Sequence, residues 1–66
     1  MRLTINGEIK ENILEQTLKG LLEDLGITPG RVAVEVNLQV IKKADYESFR
    51  IQDGDVLEIV NFVGGG

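Results

Sequence analysis

Apolar positions in this chain change their spacing along its length, and each change marks an element. RLTIN alternates, with Leu3 and Ile5 on one side and Arg2, Thr4 and Asn6 on the other, the pattern of a strand with one buried face. Asn6-Gly7 follows, two residues that tolerate positive φ and close tight hairpins, so a short second strand is expected around Glu8 to Lys10. A strict two-residue turn would set Ile5 opposite Glu8 and mix apolar with charged on one face. A bulge or longer loop is therefore expected between these strands. Leu18, Leu21, Leu22 and Leu25 then recur at i, i+3, i+4 and i+7, one face of a helix. Thr17 is placed to cap its start, Gly26 to end it, and Pro29 lies just beyond. Gly20 inside the helix costs about 1 kcal/mol against alanine, and a close approach of helix to sheet is the expected reason.

Val32, Val34 and Val36 next alternate with Ala33, Glu35 and Asn37, a strand that is β-branched on its inner face. Leu38 to Ile41 is expected to form a short strand, with Asn37 at the turn. KKADYESFRI is polar and irregular, with Tyr46, Phe49 and Ile51 as anchors into the core. Asp53-Gly54-Asp55 reads as a turn, and Val56 to Val63 as the last and longest strand. Strand, strand, helix, strand, short strand, strand is the order of an α+β domain of the β-grasp kind. It predicts a mixed sheet of about four to five strands with one helix packed across one face. Leu3, Ile5, Leu18, Leu22, Val34, Leu57 and Ile59 are expected to share one core, with the first and last strands adjacent and parallel. Residues 1–63 then form the domain, and residues 64–66 a flexible glycine tail.

At 66 residues this is one domain, near the lower limit for a chain without disulfides or metal. With 42% apolar and 27% charged residues it has ordinary globular composition. Cysteine and histidine are both missing, which removes thiolate chemistry, the commonest general base and the commonest transition-metal ligand. No apolar run approaches bilayer length and MRLTING has no signal-peptide core, so a cytoplasmic location is expected. Eleven acidic residues against seven basic give a net charge of −4, with Lys42-Lys43 as the largest basic cluster. That balance fits nucleic acid poorly and suits a protein partner with a basic docking face.

The body offers little chemistry of its own. Asp53 and Asp55 flank a turn glycine, with no third ligand to make a metal site. Glu23-Asp24 reads as a solvated helix face, and Lys42-Lys43 as a solvated loop or a docking contact. Gly7 and Gly54 do not stand in a strand-to-helix phosphate loop. No independent enzyme is visible. The last strand says more. If Leu57 and Ile59 face the helix, then Val56, Glu58, Val60 and Phe62 face away, and either form an exposed apolar partner surface or lie under a loop. After them come Gly64, Gly65 and Gly66, which lack Cβ atoms and can thread a narrow channel. Three extended residues carry the terminal carboxylate about 10 Å past the strand. The expectation is that the chain end is the working part: a carboxylate that an ATP-using partner activates as an acyl-adenylate for a sulfur or amine nucleophile.

Four stretches in this order, the NG hairpin, TLKGLLEDLGI, VAVEVN and DGDVLEIVNFVGGG, closely resemble the ThiS family, the small sulfur carriers of thiamin biosynthesis. The likeness covers essentially the whole chain. It implies a β-grasp domain that is a protein cosubstrate and needs no cofactor. An E1-like enzyme, ThiF, would use ATP to adenylate Gly66. Sulfur drawn from cysteine through a desulfurase would convert it to a thiocarboxylate, and thiazole synthase, ThiG, would take that sulfur. Gly65 and Gly66 match the terminal pair of the family, while Gly64 is a third glycine that many members lack. The chain is also similar to the molybdopterin synthase small subunit. Those carriers usually run longer and often carry prolines before the last glycines, where this chain has NFV. A ubiquitin-like modifier that ends on a lysine, and a plain β-grasp binding module with incidental glycines, also stay open.

Overall fold

The alternating stretches form strands β1 (Leu3–Ile5), β2 (Glu8–Lys10), β3 (Val32–Val36), β4 (Gln39–Ile41) and β5 (Val56–Asn61), and the leucine repeat forms helix α1 (Leu18–Asp24). This computed structural model describes residues 1–61. Phe62 and Val63, expected to complete the last strand, and the glycines 64–66 lie outside the described residues. The strands make one mixed sheet in the order β2-β1-β5-β3-β4. β5 sits at its centre, parallel to β1 through Thr4↔Val56 and Ile5↔Leu57, and antiparallel to β3 from Val36↔Leu57 to Val32↔Asn61. The first and last strands are adjacent and parallel, as the β-grasp layout requires.

α1 buries Leu18, Leu21 and Leu22 against one face of the sheet. There they meet Leu3, Ile5, Val32, Val34, Val36, Ile41 and Leu57, with Ile59 and Phe49 packed against the edge of the cluster. Each fully buried leucine contributes about 1.5–3 kcal/mol relative to exposure, so this single layer contact holds the domain together. Thr17 caps the helix: its Oγ1 accepts the Gly20 N–H at 3.1 Å. The first helical amides are taken by the loop that follows β4, with Leu18 N–H donating to the Phe49 carbonyl and Lys19 N–H to that of Tyr46, each at 2.9 Å. Gly26, at φ +77°, ends the helix. Tyr46 and Ile51 are buried in the core as expected. The Tyr46 hydroxyl donates to the Val32 carbonyl at 3.1 Å. Burial pushes this hydroxyl above its ordinary value, with a backbone hydrogen bond from Val34 partly offsetting the shift.

Three expectations are corrected. The β1–β2 hairpin has a strict two-residue turn with Ile5 opposite Glu8, not a bulge or longer loop. Mixed faces are tolerated because β2 is an edge strand, where Glu8 stays exposed and ion-pairs with Lys10 at 3.4 Å. Gly20 does not mark an approach to the sheet. A Cβ there would meet the helix's own entry loop, 3.0 Å from Thr17 Oγ1 and 3.3 Å from Glu15 Cδ, and closest to Glu15 Oε1. Leu38 belongs to the β3–β4 turn and not to β4; Asn37 and Leu38 take φ +52° and +70° there. Among the described residues no helix is long and apolar enough to cross a membrane.

Candidate functional site

β5 carries the candidate surface, and alternation along it sorts its residues. Leu57 is fully buried under the helix and Ile59 half-buried at the rim. Val56, Glu58 and Val60 point the other way, onto the face the helix does not cover, and Val60 is 60% exposed. Its cross-strand neighbour is Ala33, whose single methyl leaves most of the valine in water. Among the described residues no loop covers Val60, and there the open possibility holds for it. Phe62, the other apolar residue expected here, lies outside the described residues.

Glu58 sits opposite Glu35 of β3, two carboxylates on one open face. Like charges directly opposed across strands destabilise a sheet by a few tenths of a kcal/mol to about 1 kcal/mol. Neither takes part in an ion pair among the described residues, where the pairs are Arg2–Glu11, Lys10–Glu8 and Lys19–Glu47. Ile9 and Val40 lie on the same face, opposite Thr4 and Glu35 respectively, and both are exposed. The open face therefore presents separate valine and isoleucine side chains around a doubly negative centre. It can accept an apolar surface that carries a cation.

Asp53 and Asp55 are occupied by the turn they stand in. Asp53 Oδ1 accepts the Arg2 N–H at 2.7 Å, and Asp55 accepts the Gln52 N–H at 2.8 Å and the Asn37 side-chain amide at 3.0 Å. Gly54, at φ +89°, supplies the left-handed position of this turn. Of the two basic loop residues, Lys43 donates to the Gly30 carbonyl at 2.9 Å, and Lys42 is exposed. Glu23 and Asp24 are exposed on the helix, away from Glu58 and Val60.

Two asparagines whose role was not legible as more than turn chemistry hold β5 with their side chains. Asn6 bonds both backbone groups of Ile59: Oδ1 accepts its N–H at 2.7 Å and Nδ2 donates to its carbonyl at 3.1 Å. Asn37 Oδ1 accepts the Val56 N–H at 3.0 Å at the opposite end of the strand. The only sequence signal for such clamps is an Asn, not a Gly, at a turn position that needs positive φ.

The ThiS family model matches residues 3–66. In sequence the chain is 46% identical over 66 residues to a thiazole synthase of Paramagnetospirillum magneticum, of whose length it spans 20%. It is 38% identical over 65 residues to the sulfur carrier protein ThiS of Bacillus subtilis, covering 97% of this chain and 98% of that one. In structure it is similar to the crystal structure of the thiamine biosynthesis protein ThiS from Geobacter metallireducens, with a TM-score of 0.83 at 30% identity and full coverage of both chains.

Proposed function

The chain belongs to the ThiS family, and we propose that it is a cytoplasmic sulfur carrier of thiamine biosynthesis whose reacting group is the α-carboxylate of Gly66. The observation that carries this reading is the extent of the family match, which runs through Gly66 itself. The near end-to-end similarity to the Bacillus subtilis carrier supports it. In this reading residues 1–63 are the recognition body, Gly64 and Gly65 are the reach, and the protein is a cosubstrate without catalysis of its own.

The chemistry follows from what a carboxylate cannot do. It is ionised at neutral pH, with an ordinary pKa of about 3.3–3.7, and resists nucleophilic attack. A ThiF-like enzyme transfers AMP from ATP to the Gly66 carboxylate with release of pyrophosphate. A persulfide sulfur derived from a cysteine desulfurase then displaces AMP to give an acyl disulfide, and a thiol cleaves its S–S bond, leaving the thiocarboxylate and a disulfide. A ThiG-like thiazole synthase takes that sulfur. The similarity to part of a thiazole synthase chain supports placing this domain beside such an enzyme. Docking uses the open sheet face: Val60 and Phe62 as apolar contacts, and Glu58 with Glu35 as the acceptor of a partner's arginine or lysine.

The test is steady-state adenylation by the cognate enzyme, read as ATP–pyrophosphate exchange. Wild type should support exchange. Gly66→Ala, and deletion of Gly65 with Gly66, should fold normally and reduce exchange by ~100-fold or more, because a displacement of about 1 Å at a reacting centre costs that much. Normal exchange by the deletion variant would overturn the reading.

A further inference from the structure

β5 is gripped unequally by its two neighbours. β3 pairs with it along its length, to Val32↔Asn61, whereas β1 ends at Ile5↔Leu57 and turns away through Asn6-Gly7. Strand residues direct their backbone groups to alternate sides. The Leu57 carbonyl accepts the Asn6 N–H at 2.9 Å on the β1 side, so Ile59 is the next residue to present groups there. At Ile59 the backbone of β1 has run out. The Asn6 carboxamide takes its place, accepting from Ile59 N–H at 2.7 Å and donating to Ile59 C=O at 3.1 Å. One side chain thus supplies the donor and acceptor of the missing strand residue. It can do so because Asn6 adopts φ +50°, a conformation that asparagine tolerates and that closes the hairpin at the same time.

We infer that Asn6 is a positioning residue for the acyl transfer proposed at Gly66, a role that rests on the sulfur-carrier reading. Its carboxamide holds the backbone of Ile59 on the side that β1 leaves open, and so anchors the end of β5 from which the chain continues toward Gly66. Without the carboxamide, this last part of β5 is held by β3 alone. Docking through the sheet face survives that loss, but the alignment of a group several residues further on does not.

Asn37 provides the matched control. It stands in the other two-residue hairpin at φ +52° and clamps β5 through Val56, at the end remote from the glycines. Asn6→Gly and Asn37→Gly each keep the positive-φ turn and remove one side-chain clamp. Both should lower the urea midpoint. Asn6→Gly should speed amide exchange at Ile59 by ~10-fold, the loss of about one hydrogen bond. It should also lower kcat for ATP–pyrophosphate exchange by ~10-fold or more while KM changes by less than about 3-fold. Asn37→Gly should leave kcat within about 2-fold of wild type. Asn6→Asp, which keeps the acceptor for Ile59 N–H, should fall between wild type and Asn6→Gly, and it carries the comparison if the glycine variant does not fold. Unchanged kcat in Asn6→Gly, or an equal loss in the Asn37 variant, would reduce Asn6 to a stability residue and overturn the inference. If wild type supports no exchange at all, the sulfur-carrier reading fails first; unchanged Ile59 protection in Asn6→Gly would instead refute the clamp on its own.

Discussion

Replacing Val60 by threonine separates the two faces of β5 with a change of one group. Threonine keeps the β-branch and the strand preference of valine while putting a hydroxyl where a methyl stood. Among the described residues the site is 60% exposed and faces Ala33 across the strand, so the hydroxyl stays hydrated and stability should move by less than about 0.5 kcal/mol. Once a partner covers the face, that hydroxyl is buried against an apolar surface without a bond, at a cost of about 1–3 kcal/mol. The expected result is a dissociation constant for the adenylating enzyme raised by roughly 5- to 150-fold. Calorimetric titration gives the affinity, and urea unfolding of the same samples gives the stability. A loss of more than ~2 kcal/mol in stability with unchanged affinity would refute the assignment of Val60 to a docking face.

The neighbouring position should behave in the opposite way. Leu57→Ala removes a side chain that is fully buried beneath α1, at about 2–5 kcal/mol, from a domain whose whole stability is expected to be roughly 3–10 kcal/mol; urea midpoints will show it. Leu38 holds φ +70° with its side chain 90% exposed, so Leu38→Gly should relieve strain and raise stability by about 0.5–1 kcal/mol in the same assay. Tyr46 titrates above its ordinary value of 10.0 because burial disfavours its phenolate. The folded state therefore holds this proton more tightly than the unfolded chain does. Its contribution is fully present below pH 10 and is lost as pH rises through the folded value, a loss that Tyr46→Phe should lack in alkaline unfolding curves.

The layout of the domain was legible because its core is periodic. Leu3 and Ile5, the valines of β3, and Leu57 with Ile59 each alternate, and the helical leucines recur at one face, so burial followed directly from spacing. The structure departs from local pattern where a local rule meets a particular place in the sheet. Register logic rejected Ile5 opposite Glu8, but the rule assumes both strands lie under the helix, and β2 is an edge strand. A glycine at position 20 suggests close approach to the sheet, whereas the neighbouring atoms come from Glu15 and Thr17 a few residues back. Leu38 looked like a strand residue because leucine rarely accepts φ +70°; two-residue closure of the β3–β4 hairpin imposes it. Of the candidate surface, Val60 and Glu58 followed from alternation alone. The opposition of Glu58 to Glu35 depends on register, and the grip of Asn6 on Ile59 joins residues that are 53 apart in sequence, which no local pattern encodes.

The central claim is that the Gly66 carboxylate carries sulfur, and intact-protein mass spectrometry tests it most directly. The protein is incubated with a ThiF-like enzyme, ATP and a sulfur source, then fragmented to place any change. The account predicts a mass increase equal to sulfur replacing one oxygen, located at Gly66, dependent on ATP and missing when Gly65 and Gly66 are deleted. An unchanged mass with an active enzyme, or attachment of the chain to a lysine of another protein in place of the sulfur gain, would contradict it.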